Sequence, residues 1–290
     1  MDSFIKEKVE SLLNLSSQND VKVVEKLLGG MSNHMYVIEV NGEKFTFRIP
    51  GKNANNFVTR DIEKQNIELV DSLDINNETV VFDVEIGYKI SRYVEGKCLV
   101  EVDYQEHLEE ISSILKKIHN SGLKAVNDYE WLSRLDKYEK LVLNQGYTDE
   151  SDEYYALKKS LTEDFDYFNN NELVLCHGDS QISNFVVGLD KIYLLDWEFC
   201  GNNDPYYDIA CFGNKDFDDA LRLLDVYLGR KANDEEIKKL NYFRAFQCLQ
   251  WHNVALYKHL IGLSEELNVP FGEVAKGYTE KAKAFLSNAR

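Results

Sequence analysis

The chain is predicted to be an α+β protein of two lobes, a small antiparallel β-sheet lobe with one key helix followed by a larger, mainly helical lobe. Three observations predict this. Five short β-type runs crowd into residues 1–94, two of them joined by Asn41-Gly42, the strongest short hairpin signal. From Glu106 onward apolar residues recur at helical spacing, as in Leu108, Ile111, Leu115 and Ile118. Between those helices, the run from Leu173 to Phe212 turns β-like again and carries acidic residues at the ends of its strands.

The composition bounds the class. The 290 residues include 44% hydrophobic and 12% aromatic residues, enough for a folded protein with one large or two modest cores. Only three prolines occur, so no flexible linker is expected. Fifty acidic against 33 basic residues give a net charge of −17, which disfavours a nucleic-acid partner and would attract a cationic small molecule. The five cysteines are scattered and odd in number, without a C-x-x-C pair, and read as buried free thiols in a reducing cytosol. No apolar run approaches a membrane span and the N-terminus lacks the pattern of a signal peptide, so a cytoplasmic protein is expected. The sequence does not reveal an oligomeric state.

Taken in order, Phe4–Leu15 carries a helical stripe and Val21–Leu28 reads as a strand. Gly29-Gly30-Met31-Ser32-Asn33 follows, then strands at His34–Val40 and Glu43–Ile49. The glycine-rich segment is either a plain turn or a loop whose backbone N–H groups, with Ser32 and Asn33, cover a polyphosphate. Thr59–Leu73 is predicted helical, and Glu78–Val84 and Tyr88–Val94 complete the five strands. The lobe boundary falls after Val94, giving a nucleotide lobe at 1–94 and a catalytic and substrate lobe at 95–290; main-chain groups of Ser91, Tyr93 and Val94 are placed to meet an adenine edge. Helices are expected at 106–120, 129–143 and 153–168, with His119 in a core or capping role. Asp204 and Pro205 mark a helix start as N-cap and N1, and Asp208 on that helix is expected to hold the neighbouring acidic loop. A long pattern from Asp234 to Gly262, broken at most once, and a last helix at 273–286 close the chain.

The chemistry is concentrated in two acidic islands. His177-Gly178-Asp179 with Asn184 five residues on has the H-x-D-x-x-x-x-N spacing of the protein-kinase catalytic loop, and Asp196-Trp197-Glu198, ending the strand Ile192–Leu195, stands where that fold carries its metal-binding acid. A hairpin turning at Gly188-Leu189-Asp190 would bring Asp179, Asn184 and Asp196 to one end. Oxygen ligands of this kind suit Mg²⁺ on a substrate phosphate, with one further carboxylate to take the proton of an attacking hydroxyl. Arg48 on the third strand and Glu63 on the next helix fit the phosphate-holding ion pair of such enzymes, with arginine in place of lysine; Glu68 is the alternative partner. The aromatic and polar residues at helical spacing near the C-terminus have two readings, core or a cage for an ammonium group, with Trp251, Tyr257 and Tyr278 as its members. Trp197 either walls the site or packs beneath it.

These residues together form a resemblance. Leu27-Leu28-Gly29-Gly30-Met31-Ser32-Asn33 with Tyr36, Arg48-Ile49-Pro50-Gly51, Arg60–Asn66, His177-Gly178-Asp179 with Asn184-Phe185, and Leu194-Leu195-Asp196-Trp197-Glu198 with Asn203-Asp204-Pro205 and Asp208 resemble the bacterial choline kinase branch of the choline/ethanolamine kinase family. The likeness runs from about Val21 to Phe285, and the wider clan includes the aminoglycoside phosphotransferases. It implies a bilobal protein-kinase-like fold, ATP with Mg²⁺, and phosphorylation of a small cationic amino alcohol, most simply choline. On that likeness Asp179 orients and deprotonates the hydroxyl, Asn184 and Asp196 bind the metal, Arg48 and Glu63 position phosphates, and Glu198 adds to the metal or substrate end. Two departures touch substrate choice: Val254 stands where the family commonly has a second tryptophan three residues after the first, and Lys215 lies nearest the position of an expected acid. Ethanolamine, thiamine or an aminoglycoside are the alternative acceptors. From another class, a nucleotide-binding module without catalysis is disfavoured by the intact Asp179, Asn184 and Asp196, since binding alone has no need of a base.

Overall fold

The computed structural model describes residues 2–16, 20–27, 33–148 and 153–290. The chain forms two compact units: Met1–Tyr104 with Ile182–Cys200, and Gln105–Gln181 with Gly201–Arg290. The sequence-based boundary after Val94 therefore differs from this division in two ways. The first unit runs ten residues further, to Tyr104, and it takes back a later segment that holds the second acidic island.

In the first unit, α1 (Asp2–Leu12) packs on a five-stranded antiparallel sheet. Its strands β1 (Val21–Leu27), β2 (Asn33–Val40), β3 (Glu43–Pro50), β4 (Thr79–Phe82) and β5 (Lys89–Arg92) lie in the order β1-β2-β3-β5-β4. Asn41 and Gly42, with φ of 52° and 89°, form the two-residue turn that sets Val40 opposite Glu43. Positive φ at both central residues gives a turn whose twist matches the strands. One sheet face and α1 share a core of Ile5, Val9, Tyr36, Ile38, Phe45, Phe47 and Ile90. Helix α2 (Arg60–Val70) follows β3 and presents Arg60, Glu63, Asn66 and Ile67 as buried positions. The later segment contributes β8 (Phe185–Gly188) and β9 (Ile192–Leu194), which join β6 (Gly96–Cys98) in a second antiparallel sheet.

The second unit is mainly helical: α3 (Leu108–His119), α4 (Trp131–Leu143), α5 (Glu153–Glu163), α6 (Phe165–Phe168), α7 (Pro205–Phe212), α8 (Phe217–Leu228), α9 (Asp234–Leu260), α10 (Leu263–Leu267) and α11 (Phe271–Ala289). The 27-residue α9 is unbroken and starts in a capping box, Asn233 accepting from Glu236 N while Glu236 accepts from Asn233 N. Most of its residues are buried, so its polar side chains need partners within the fold. Gln250 accepts from Tyr129 Oη, and Asn253 donates to Tyr154 Oη. Phe243 and Phe246 pack at a tilt against Trp131 at ring separations of 4.4 and 5.1 Å, so this part of the aromatic stripe is core.

The hairpin expected at Gly188-Leu189-Asp190 forms as β8 and β9, which pair with each other. β7 (Val174–Cys176) pairs with β10 (Gly201–Asn203). β10 is Gly-Asn-Asn and shows no apolar alternation, so the sequence offered no sign of a strand there. Helix α8 also went unread, although Asp216 caps it through Asp218 N and Gly229 ends it at φ 68°. All five cysteines are free and four are buried. No helix among the described residues is long and apolar enough to cross a membrane.

Candidate active site

In the first unit the sequence-predicted residues meet in a buried charge cluster. Arg48, 1% exposed, donates through Nη1 to Glu63 Oε1 at 2.5 Å and through Nη2 to Glu63 Oε2 at 3.0 Å. Glu63, rather than the exposed Glu68, is thus the partner, and its bidentate geometry is the strong form of an arginine–carboxylate pair. Arg48 Nε also donates to Gly87 O at 3.4 Å, and its guanidinium lies over the Phe82 ring at 5.1 Å. Two further cations join. Arg60 Nη1 donates to Glu63 Oε2 at 2.7 Å and to Glu198 Oε2 at 3.0 Å, and Lys89 Nζ lies 3.3 Å from Glu63 Oε1. Burial alone would raise the Glu63 carboxyl, but Arg48, Lys89 and Arg60 outweigh it and hold the group at about 2. The Lys89 ammonium is lowered, by burial first and by the nearby Arg48 charge second.

Asp196 closes this cluster toward solvent. Its Oδ1 lies 3.8 Å from Arg48 Nη1, yet its side chain is 40% exposed. Its backbone sits at φ +69°, a left-handed conformation uncommon for a non-glycine residue and the kind of strain found at functional sites. Leu195 N donates to Asn184 O at 2.8 Å just beyond the Phe185–Leu194 pair, so Asn184 and Asp196 emerge at one end of the β8–β9 hairpin. Glu198 turns inward: Asn33 Nδ2 and Arg60 Nη1 each donate to its Oε2 at 3.0 Å. Burial and the adjacent Asp196 charge raise its carboxyl.

Several expected site residues are placed otherwise. Trp197 is fully buried and donates its indole N–H to Leu194 O at 2.8 Å, so it packs beneath the Asp196 turn and offers no face to a ligand. Ser91 is paired on both sides, to Thr46 and Thr79, and the Tyr93 N–H is taken by Lys44 O. Val94, between β5 and β6, has no main-chain hydrogen bond of this kind among the described residues. Gly30 and Ser32 lie outside the described residues. Sequence reasoning assigned no role to Arg60 or Lys89. Arg60 lies one helical turn before Glu63, and that spacing was the available signal.

In the second unit, Asp208 organises the loop of Asp179. Its Oδ2 accepts from His177 N and its Oδ1 from Gly178 N, both at 2.8 Å, while its own carbonyl accepts from Ser180 Oγ at 2.6 Å. His119 Nε2 lies 3.1 Å from Asp208 Oδ2 and His119 Nδ1 2.9 Å from Tyr227 Oη. Burial would raise Asp208, but the His119 bond and the other donors lower it. Cys176 also has its sulfur within 4.8 Å of these groups but is directed to Asn203 O, so the clamp on the loop is Asp208 with His119. Replacing Asp208 with alanine strands two buried N–H groups and is expected to cost about 2–5 kcal/mol in chemical unfolding. A loss within about 0.5 kcal/mol, the range of neutral surface changes, would show the clamp to be dispensable.

Asp179 itself accepts from Gln181 Nε2 at 3.0 Å. On α9, Arg244, Cys248 and Trp251 follow one another at spacings that share a helix face, and the partly exposed Tyr278 of α11 lies within electrostatic reach of Arg244 and Asp179. Tyr257, six residues past Trp251, points about 120° away and is 3% exposed, so it belongs to the core. Val254 is buried as well, and Lys215 is exposed.

A sheet-based unit with a buried arginine–glutamate pair and a helical unit holding a clamped H-x-D loop are the two halves of a kinase-like fold. A profile of the choline/ethanolamine kinase family matches residues 24–217, and the chain belongs to that family. Over 187 residues it is 27% identical to Protein LicA of Haemophilus influenzae, covering 63% of this chain and 55% of that protein, so it spans little more than half of that relative. The structure resembles choline kinase LicA from Streptococcus pneumoniae with a TM-score of 0.80 at 24% identity over 99% of both chains. A crystal structure of LicA in complex with AMP gives the same TM-score at 23% identity, covering 100% of this chain and 99% of that one.

Proposed function

We propose that this kinase transfers the γ-phosphoryl group of ATP to the hydroxyl of a small amino alcohol, with choline the preferred acceptor. The reading is carried by the water-excluded Arg48–Glu63 pair ending in the partly exposed Asp196 carboxylate, the charge arrangement that phosphoryl transfer asks of a phosphate-holding group. Family membership and the AMP complex of the LicA structure support an adenine nucleotide. Arg48 binds phosphate oxygens while Glu63 fixes its fork. Asn33 and the segment with Gly30 and Ser32 cover the phosphates, and Val94 meets the base edge.

Asn184 and Asp196 are the residues that would hold Mg²⁺, which when bound neutralises charge on the phosphate oxygens. The fit rests on an all-oxygen donor pair at one end of a hairpin, one of them a strained, partly exposed carboxylate. Glu198, engaged by Arg60 and Asn33, supports that end from beneath. Asp179 accepts the proton of the acceptor hydroxyl as the oxygen attacks phosphorus. Trp251 and Tyr278 face the acceptor's ammonium.

The test is ADP release with Mg²⁺ and ATP or GTP, offered choline, ethanolamine, thiamine and kanamycin in turn. Choline or ethanolamine turns over fastest; turnover confined to kanamycin or thiamine rejects the amino-alcohol reading. Trp251→Ala is expected to raise the amino-alcohol KM by roughly 2- to 30-fold, corresponding to about 0.5–2 kcal/mol of cation–π attraction, with the ATP KM unchanged. Equal effects on both would make Trp251 a core residue.

A further inference from the structure

We infer that Asn214 and Arg244 are positioning residues for the reaction, acting on Asp179 through the side-chain amide of Gln181. The inference rests on Asp179 being the base. Three donors run in one direction across this unit. Arg244 Nη2 donates to Asn214 O at 3.3 Å, Asn214 Nδ2 donates to Gln181 Oε1, and Gln181 Nε2 donates to Asp179 Oδ2 at 3.0 Å.

A carboxamide has two unlike ends, and a carboxylate, which only accepts, pairs with the N–H end alone. Asp179 therefore takes Gln181 Nε2, which leaves the Gln181 carbonyl in need of a donor. Asn214 Nδ2 is that donor and holds Gln181 in the orientation that serves Asp179. Asn214 is fixed in turn by two main-chain bonds, its N–H to Cys211 O in the last turn of α7 and its carbonyl to Arg244. Arg244 is 3% exposed and is locked by Gln247 Oε1 at 2.7 Å, and Gln247 is held by Tyr207 O at 2.9 Å. Arg244 binds the main-chain carbonyl of Asn214 and so acts by fixing the residue that carries the Nδ2 donor. The segment Gly213–Asp216 thus contributes Asn214 to the surroundings of the base.

The experiment ranks two substitutions. Asn214→Ala removes the donor and is expected to lower kcat about 10-fold; Asn214→Asp is expected to lower it about 100-fold, the order of loss a misaligned group brings, with both KM values held within about twofold. Aspartate can only accept, so it competes with Asp179 for Gln181 Nε2 and sets the Gln181 carbonyl against a carboxylate. A merely structural role predicts the reverse ranking, because aspartate nearly matches asparagine in size.

In a Gln181→Ala background, Asn214→Asp should cost nothing further; a loss that persists there comes from charge acting through space and overturns the relay. Asp179→Asn is measured alongside. If it is inactive while the ranking is reversed, the relay alone fails; if it is active, the base assignment fails. Independently of any substrate, the side-chain amide resonance of Gln181 should move in both Asn214→Ala and Asp179→Ala, and a resonance unmoved in both overturns the relay.

Discussion

Asp179→Asn is expected to lower kcat by about 10²–10⁴-fold while the ATP Kd stays within about twofold. The substitution keeps the shape of the side chain and removes its basicity. The loop around it does not depend on that charge: His177 N, Gly178 N and Ser180 Oγ are all held by Asp208. Loss of turnover in this variant therefore reports chemistry and not a collapsed loop. ADP release under saturating ATP and acceptor gives kcat, and calorimetric titration of ATP gives Kd. Turnover at the wild-type rate rejects Asp179 as base, and a parallel loss of ATP affinity makes it part of the nucleotide site.

Glu63→Gln should be the most destabilising single change in the first unit. It keeps the volume but leaves Arg48, Arg60 and Lys89 facing one another in a water-excluded site with one carboxylate fewer. Removing one partner of a buried ion pair costs about 3–5 kcal/mol, here a fall in Tm of roughly 6–15 °C. The ATP KM should rise as well, because the Arg48 fork loses its anchor. Thermal unfolding and initial rates read both; an unchanged Tm would mean the cations relax to solvent.

The same cluster sets a pH dependence. Glu63 falls from the ordinary 4.5 to about 2 on folding. Its stabilisation is thus complete above pH 4.5 and is lost as pH falls toward 2, the unfolded chain taking up the proton first. Glu198 acts in the opposite sense, since its carboxyl is raised and its contribution is lost as pH rises through its folded value. Glu63→Gln should therefore flatten the acid limb of the stability profile below pH 4.5, and a limb of unchanged slope would place the responsible group elsewhere.

Much of the site was legible because its residues are spaced by the backbone itself. The Asn41-Gly42 turn fixes β2 against β3, and an aspartate before a proline starts α7. Arg48 and Glu63 could be paired on paper because a strand followed by a helix is a short connection. The failures are as physical. β10 carries no pattern since its side chains, Asn202 and Asn203, are chosen for hydrogen bonds to Ala125, Asp128 and Trp131. Tyr257 looked like a ligand contact from residue type alone, and only the rotation of an unbroken α9 turns it away.

The sequence by itself determined the family, the five-stranded sheet, and the Asp179, Asn184 and Asp196 spacing, because those are properties of strands, turns and short loops. Tertiary structure alone decided that Glu198 is held by Arg60 and Asn33, that Trp197 is buried, and that Asn214 meets Gln181 beside Asp179. Those contacts join residues 138, 165 and 33 positions apart, and no local spacing constrains pairs that far along a chain.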